Sequence, residues 1–126
     1  MKSKVAILFV LMSLIFGSVN LILNEKCKAS GNEIYVDVSY HGYRDGSPEK
    51  PYNSIQYAID MAEEGDTIYV FGGLYDETLS INKTLTLWGS IEGEDSIIDS
   101  SKDQRYTVEI TADHFEMIDF TISDNN

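Results

Sequence analysis

Cysteine and proline are nearly absent from this sequence of 126 residues, which contains one Cys and two Pro. The single cysteine, Cys27, lies in a segment that we interpret below as a signal peptide. The rest of the chain therefore has no disulfide and no thiol for nucleophilic or redox chemistry. Its stability has to come from packing alone, which is feasible but modest for a domain of about 97 residues.

Basic residues are scarce as well, since nine Lys and Arg stand against 21 Asp and Glu. Four of the basic residues and one acidic residue fall within residues 1–29, so residues 30–126 carry a net charge of −15. A chain of this charge repels phosphate backbones and anionic lipid surfaces. The composition argues against nucleic acid as a partner and restricts membrane contact to the N-terminal segment.

Residues 1–29 have the pattern of a secretory signal peptide. A short basic region comes first, an apolar run covers residues 5–23, and Cys27 and Ala29 occupy the small-residue positions of a signal-peptidase site. The alternative is an uncleaved membrane anchor, because a run of this length is at the lower limit for a spanning helix. We therefore predict a secreted or cell-surface protein, with membrane anchoring by residues 5–23 as the alternative.

The stretch "SIQYAIDMAEEGDTIYV", residues 54–70, predicts a helix followed at once by a strand. Its first half has a single apolar stripe at helical spacing, formed by Ile55, Ala58, Ile59 and Ala62. Asn53 or Ser54 is the expected N-cap, and Gln56 completes a capping box with Asn53. Gly65 is the expected left-handed stop. The acidic seam "EEGD" is thus interpreted as a joint rather than a catalytic site.

The second half of the chain predicts seven short strands, and their apolar pairs repeat. Leu79 and Ile81 match Val108 and Ile110 at an offset of 29 residues, while Leu85 and Leu87 match Phe115 and Met117 at an offset of 30. Such a repeat is typical of a β-solenoid, in which each coil buries its inward residues against the next. Two hairpins of an ordinary β-sandwich are the alternative.

Several motifs in the first half of the chain are shared with one large family of parallel β-helices. The motifs are an Asp-Gly-Ser turn, a Ser-Ile-Gln…Ala-Ile helix, a Gly-Asp-Thr-Ile strand and a Gly-x-Tyr-x-Glu turn. The corresponding residues are Asp45, Gly46, Ser47, Ser54, Ile55, Gln56, Ala58, Ile59, Gly65, Asp66, Thr67, Ile68, Gly73, Tyr75 and Glu77. Over Ile34 to about Asp99 the chain resembles the N-terminal part of right-handed parallel β-helix repeat proteins of the pectin-lyase-like superfamily, including secreted or surface proteins and the start of pectin methylesterases.

The resemblance implies a mainly β fold, in which residues 30–126 form an amphipathic capping helix and about two coils of an apparently truncated right-handed parallel β-helix. Catalytic carboxylates in enzymes of that superfamily lie on later coils. The implied function is a non-enzymatic secreted or cell-surface module, structural or carbohydrate-binding. The alternative is the leading fragment of a polysaccharide-active esterase or lyase whose active site lies beyond residue 126. An open coil end predicts self-association.

Four aromatic residues could form a platform on which sugar rings of a polysaccharide or surface glycan stack. They are Tyr69, Phe71, Tyr75 and Trp88. The alternative is that some are core residues and the others ordinary half-exposed strand residues. The sequence Asn82-Lys83-Thr84 is an N-glycosylation sequon in a predicted turn, which makes Asn82 an acceptor candidate in a secreted chain.

The sequence predicts no catalytic, cofactor-binding or metal-binding residue. The carboxylate pairs Asp95 with Asp99 and Asp113 with Asp119 are interpreted as acidic surface, because a chain this acidic contains such pairs by chance. Weak Ca²⁺ binding at an acidic turn such as residues 92–95 stays open, since hard cations prefer clustered oxygens. His41 and His114 have no further ligands at metal-binding spacing.

Overall fold

The computed structural model describes residues 31–100 and 107–123, and the predicted signal peptide or anchor at residues 1–29 lies outside them. Within this part of the chain, no helix is both long enough and apolar enough to cross a membrane. The described elements are β1 (Glu33–Val36), α1 (Ile55–Met61), β2 (Thr67–Tyr75), β3 (Leu79–Ile81), β4 (Leu85–Asp99), β5 (Val108–Ile110), β6 (Phe115–Ile118) and β7 (Phe120–Ser123).

The strands form two sheets in which all pairings are parallel. In the larger sheet the order is β1-β2-β4-β6. β6 pairs with the first part of the long strand β4, and β7 pairs with its last part. The smaller sheet consists of β3 and β5. The described chain is therefore mainly β, with all-parallel sheets and one short helix.

The repeat seen in the sequence corresponds to the register of these parallel strands. Leu79 lies opposite Val108 in the β3–β5 pair, and Leu85 lies opposite Phe115 in the β4–β6 pair. The residues that the sequence related by offsets of 29 and 30 are thus confirmed to be Cα partners in the strand register. Hairpins would pair these segments antiparallel, so the hairpin alternative is wrong for them.

The predicted apolar stripe of α1 is buried against the strands. Ser54 is the N-cap, with its hydroxyl accepting a hydrogen bond from Tyr57 N, and the helix contacts β1, β2 and β3. A seven-residue helix is too short to be stable alone, so this packing holds it in place. One hydrophobic core joins the helix to both sheets, and its members are Val36, Tyr52, Ile55, Ala58, Ile59, Ala62, Ile68, Val70, Tyr75, Leu79, Ile81, Leu85, Leu87 and Ile98.

Two predictions about the ends of the helix, one for the capping box and one for the residue that stops the helix, are wrong. The amide of Gln56 pairs with Ser80 rather than with Asn53, donating to Ser80 O at 3.3 Å and accepting from Ser80 N at 2.8 Å. The helix reaches its C-cap at Ala62, so Gly65 does not end it. Gly65 does have a positive φ of 89°, but it lies in the turn that leads to β2, where its N–H donates to Thr84 O.

Strand boundaries also differ from the prediction at two predicted turns. Residues 72–75 continue β2 rather than forming a turn, and β4 runs through the predicted acidic turn at residues 92–95. Register irregularities in the β2–β4 pair absorb the extra residues. Asp119, which has a positive φ of 56°, separates β6 from β7.

Candidate functional site

Three aromatic side chains form a row across neighbouring strands of the larger sheet. Tyr35 of β1 is the register partner of Tyr69 of β2, which is in turn the partner of Trp88 of β4. In-register parallel strands place such side chains beside one another on one face of the sheet. The ring centroids of Tyr35 and Tyr69 are 5.2 Å apart and stacked, and those of Tyr69 and Trp88 are 6.3 Å apart and tilted by 31°. We call these three residues the aromatic row.

Stacking within the aromatic row decides which of its rings a ligand can reach. Tyr69 lies between two rings, so much of both of its faces is covered. Trp88 has Tyr69 on one side and its register partner Ile118 on the other, and it is still 43% exposed. At the Tyr35 end of the row, partial desolvation and then the Glu33 carboxylate, which accepts a hydrogen bond from the Tyr35 hydroxyl at 3.1 Å, raise the pKa of Tyr35. A sugar that stacks on a ring face would meet Trp88 most readily.

A polar row lies beside the aromatic row on the same face of the sheet. Its members are Glu33, Thr67, Thr86 and Glu116, which are register partners on four adjacent strands. Glu33, Thr67 and Thr86 each lie two residues before the aromatic-row member of their strand, and alternate residues of a strand share a face. Glu116 lies two residues before Ile118, which is the register partner of Trp88. Carboxylates and hydroxyls next to aromatic rings match the needs of a sugar, whose faces are apolar and whose rim carries hydroxyls.

The two rows contain residues that the sequence reasoning missed. The tripeptides Glu33-Ile34-Tyr35, Thr67-Ile68-Tyr69 and Thr86-Leu87-Trp88 share one pattern of polar, aliphatic and aromatic residues. That recurrence was a usable signal for Tyr35 and for the polar row. It is masked along the chain because the spacing between copies varies, whereas the register aligns all three.

Tyr75, one of the four platform candidates, does not belong to a platform, and the alternative that some of these aromatic residues are core residues holds for it. Its side chain is 1% exposed. Its hydroxyl donates to Phe71 O at 2.8 Å and accepts from Val38 N at 3.3 Å. Burial raises the pKa of the Tyr75 hydroxyl well above the usual value of a tyrosine. Tyr75 is a core residue because β2 continues through the position where a turn was expected.

Phe71, the fourth predicted platform residue, is separate from the aromatic row. It is half-buried and lies opposite Ile91, after an irregularity that shifts the β2–β4 register beyond Tyr69. It borders an acidic depression of about 250 Å³ that is also lined by Glu92 and Glu94. The structure therefore brings Tyr69 and Trp88 together and leaves Phe71 outside the row.

The acidic seam between α1 and β2 is structural. Asp66 is buried, and its carboxylate accepts hydrogen bonds from Asn32 N at 2.7 Å and Glu63 N at 2.8 Å. Glu64 accepts from Thr84 N at 2.7 Å. These carboxylates bind backbone N–H groups of the turns where the helix meets the sheet, as the interpretation of "EEGD" as a joint requires.

Most of the other candidate residues lie on the surface. Asn82 is exposed in the turn between β3 and β4, and its modification stays a prediction. His41, Asp95, Asp113 and His114 are exposed as well, and Asp99 is half-buried. Within residues 31–100 and 107–123, no group of three or more His, Cys, Asp or Glu side chains is placed to hold a metal ion.

Two known proteins are similar to part of this chain. The pectate lyase PEL9 of Emericella nidulans is 36% identical over 77 residues, which are 56% of this chain and 19% of that protein. The uncharacterized protein YwoF of Bacillus subtilis (strain 168) is 31% identical over 83 residues, which are 62% of this chain and 18% of that protein. No family model matches the chain, and no solved structure matches it significantly. The chain thus spans less than a fifth of the length of either relative.

Proposed function

We propose that this chain is the N-terminal part of a right-handed parallel β-helix module of the pectin-lyase-like superfamily, which binds polysaccharide and catalyses no reaction itself. The β-helix assignment is supported by all-parallel strand pairing and by offsets of 29 and 30 residues between paired strands. The weak similarity to the pectate lyase PEL9 is consistent with it. The module is secreted or held at the cell surface by its N-terminal segment.

The observation that carries the binding proposal is the alignment of the aromatic row with the polar row. Trp88 keeps 43% of its side chain exposed although it is part of a stacked row. Thr86 and Glu116, from the same and the adjacent strand, add a hydroxyl and a carboxylate on the same face. Ring stacking and hydrogen bonding to the rim of one sugar therefore become possible at one place.

Affinity electrophoresis in gels that contain a soluble polysaccharide tests this proposal. Trp88→Ala should weaken retardation by about threefold to tenfold, since an aromatic contact contributes roughly 0.5–1.5 kcal/mol beyond its buried area. Leu74→Ala is the control, because Leu74 is also large, apolar and exposed but lies outside the aromatic row. Equal migration of Trp88→Ala and the parent protein across neutral and acidic polysaccharides would contradict binding at the row.

The second candidate function is the leading fragment of a polysaccharide-cleaving enzyme. It is favoured by the 36% identity to a protein that is named as a pectate lyase. Incubation of the chain with polygalacturonate, followed by detection of new reducing ends or unsaturated products, distinguishes the two candidates. Product formation would overturn the non-catalytic proposal. If the reading frame continues, the sequence after Asn126 offers a further test, because additional coils with clustered acidic and basic residues would favour the enzyme.

Secretion is tested separately by N-terminal sequencing of the mature protein. Cleavage after Ala29 would support the signal peptide. Retention of Met1 in the membrane fraction would favour the alternative, in which residues 5–23 act as an anchor.

A further inference from the structure

The aromatic row consists of three side chains that can each lose one electron. Phenol and indole rings are the most easily oxidised aromatic groups among the amino-acid side chains. The ring centroids of Tyr35 and Tyr69 are 5.2 Å apart, and those of Tyr69 and Trp88 are 6.3 Å apart. Both distances fall in the range of about 4.5–7 Å over which aromatic rings interact directly. An electron can therefore pass from ring to ring along the row without crossing solvent.

Trp88 is the member of the row that an oxidant in solution reaches most easily. It is 43% exposed, whereas Tyr69 has an aromatic ring on either side. Trp88 is also the only tryptophan among the 126 residues of the chain. Many radical oxidants react faster with an indole than with a phenol at neutral pH. One-electron oxidation of the protein by such a radical therefore begins at this one residue.

Tyr35, at the β1 end of the row, has a base in place for its proton. Its hydroxyl donates to Glu33 Oε2 at 3.1 Å, which lies within the reach of about 2.6–3.2 Å that proton transfer needs. Within the part of the chain that the structure describes, Tyr35 is the tyrosine of the row whose hydroxyl binds a carboxylate. A phenol becomes a strong acid when it loses an electron, so a nearby base makes its oxidation easier. The row thus has an accessible indole at one end and a phenol with a proton acceptor at the other.

We propose that the aromatic row carries one-electron oxidation from Trp88 to Tyr35 and so protects the exposed indole from radical oxidants. The oxidant takes one electron from Trp88 and becomes a reduced anion, while the indole N–H proton passes to water. The indolyl radical then takes an electron from Tyr35 by way of Tyr69 and recovers a proton from water. The hydroxyl proton of Tyr35 moves to Glu33, which leaves a phenoxyl radical on Tyr35.

The direction of transfer follows from the chemistry of the two radicals. At neutral pH the indolyl radical is a stronger oxidant than the phenoxyl radical, so transfer from Trp88 to Tyr35 is favourable. A hydrogen-atom donor of the thiol class then gives a hydrogen atom to the Tyr35 oxygen, which restores the phenol and leaves the radical on the donor. This donor has to come from solution, because the only cysteine of the chain, Cys27, lies in the predicted signal peptide.

Pulse radiolysis of the protein with azide radicals, which oxidise indoles selectively, tests the proposal without polysaccharide present. The absorption of the indolyl radical should decay as that of the tyrosyl radical rises, at a rate independent of protein concentration. Glu33→Gln should slow this step by about tenfold or more, because a positioned base contributes on the order of 10²–10⁴-fold to a proton-transfer step. Tyr35→Phe should slow it at least as much.

Tyr43→Phe is the matched control, because Tyr43 is 77% exposed and lies outside the aromatic row. It should leave the rate unchanged. Glu33→Gln should cause no further slowing in the Tyr35→Phe background, since Glu33 acts through the Tyr35 hydroxyl. Far-UV circular dichroism checks that each variant is folded.

Four results would overturn the proposal. They are a rate that rises with protein concentration, equal rates for Tyr35→Phe and Tyr43→Phe, an unchanged rate in Glu33→Gln, and a further slowing in the double variant. The measurement contains no sugar, and Trp88 is retained in every variant. Its outcome is therefore independent of the affinity electrophoresis that tests polysaccharide binding at the row.

Discussion

Glu77, just after β2, binds the N-cap residue of the helix, Ser54, at a separation of 23 residues. The Glu77 Oε2 atom accepts from Ser54 Oγ at 2.9 Å and from Gln56 N at 2.9 Å, and Oε1 accepts from Ile55 N at 3.0 Å. A carboxylate at this position satisfies N–H groups that have no partner inside the helix. The Gly-x-Tyr-x-Glu motif is therefore explained by architecture, with Tyr75 in the core and Glu77 on the helix.

Glu77→Ala should destabilise the protein by about 1–3 kcal/mol, because it removes a charged acceptor from the first turn of α1. Glu77→Gln should cost less, since one oxygen acceptor remains. Urea denaturation followed by far-UV circular dichroism measures both. Glu49→Ala is the control, because Glu49 is exposed on the loop before the helix. Equal stability of Glu77→Ala and Glu49→Ala would contradict the capping role.

Lys83 binds the other end of the same helix. Its ammonium donates to the carbonyl oxygens of Ile59, Asp60 and Ala62 at 2.8–2.9 Å. A cation is favourable at a helix C-terminus because the last carbonyls are unpaired there. Lys83→Met keeps the aliphatic part of the side chain and should lower the free energy of unfolding by about 1–2 kcal/mol. A midpoint in urea unchanged from that of the parent chain would show that these hydrogen bonds add no net stability.

Ile59→Asp should unfold the helix and much of the core. Ile59 is 1% exposed, and an unpaired charge at a buried position is strongly unfavourable. We expect a loss of about 4 kcal/mol or more, which is a large part of the stability of a small domain. Met61→Asp places the same charge on the same helix at a position that is 54% exposed, and it should be tolerated. Similar thermal melting of both variants would mean that the helix does not pack as described.

The stability of the protein should fall above about pH 10, the ordinary pKa of tyrosine. Burial raises the pKa of Tyr75 in the folded state, so the unfolded chain loses its proton first as the pH rises. The unfolded state then binds fewer protons than the folded state, and unfolding becomes more favourable. The contribution is fully present below the unfolded pKa and is lost as the pH approaches the folded one.

The variant Tyr75→Phe distinguishes the loss of stability caused by titration of Tyr75 from other effects of alkaline pH. The variant should be less stable by about 1–2 kcal/mol at neutral pH, since Val38 N loses its acceptor. Between pH 9 and 11, the free energy of unfolding of the variant should decline less steeply with pH than that of the parent. The difference in slope should correspond to about one bound proton. Part of the decline should remain, because the pKa of Tyr52 is also raised by burial. Identical slopes in urea titrations at these pH values would contradict the assignment to Tyr75.

A protein that lacks residues 1–29 should self-associate through its last described strands. Ile110 and Ile122 are 51% and 53% exposed, whereas their register partners Ile81 and Ile98 are fully buried. Strands with an uncovered apolar edge are prone to pair with other chains. Sedimentation velocity should show oligomers, and the double variant Ile110→Lys with Ile122→Lys should shift the distribution toward monomer. A parent protein that is monomeric at high concentration would contradict this prediction.

Local patterns in the sequence were enough to predict those features of the fold that depend on the periodic burial of apolar residues. The stripe of Ile55, Ala58, Ile59 and Ala62 predicted the buried helix face, and alternation predicted where β2 begins. The offsets of 29 and 30 residues predicted the pairing of β3 with β5 and of β4 with β6. Inward-facing residues of stacked strands are selected for the same apolar environment, so a shared register leaves a repeat along the chain.

Only the tertiary structure decided which outward-facing or turn residues meet. Tyr75 was misplaced because nothing local shows that β2 continues through Gly73, whose positive φ of 152° and close approach to Val38 suit only glycine. The aromatic row depends on the registers of two separate strand pairs. The sequence by itself determined the buried face of the helix and which strand segments share a repeat, since both follow from periodic burial, whereas the structure decided that these segments pair in parallel. The position of each polar group and each accessible ring depended on long-range contacts that no local pattern encodes.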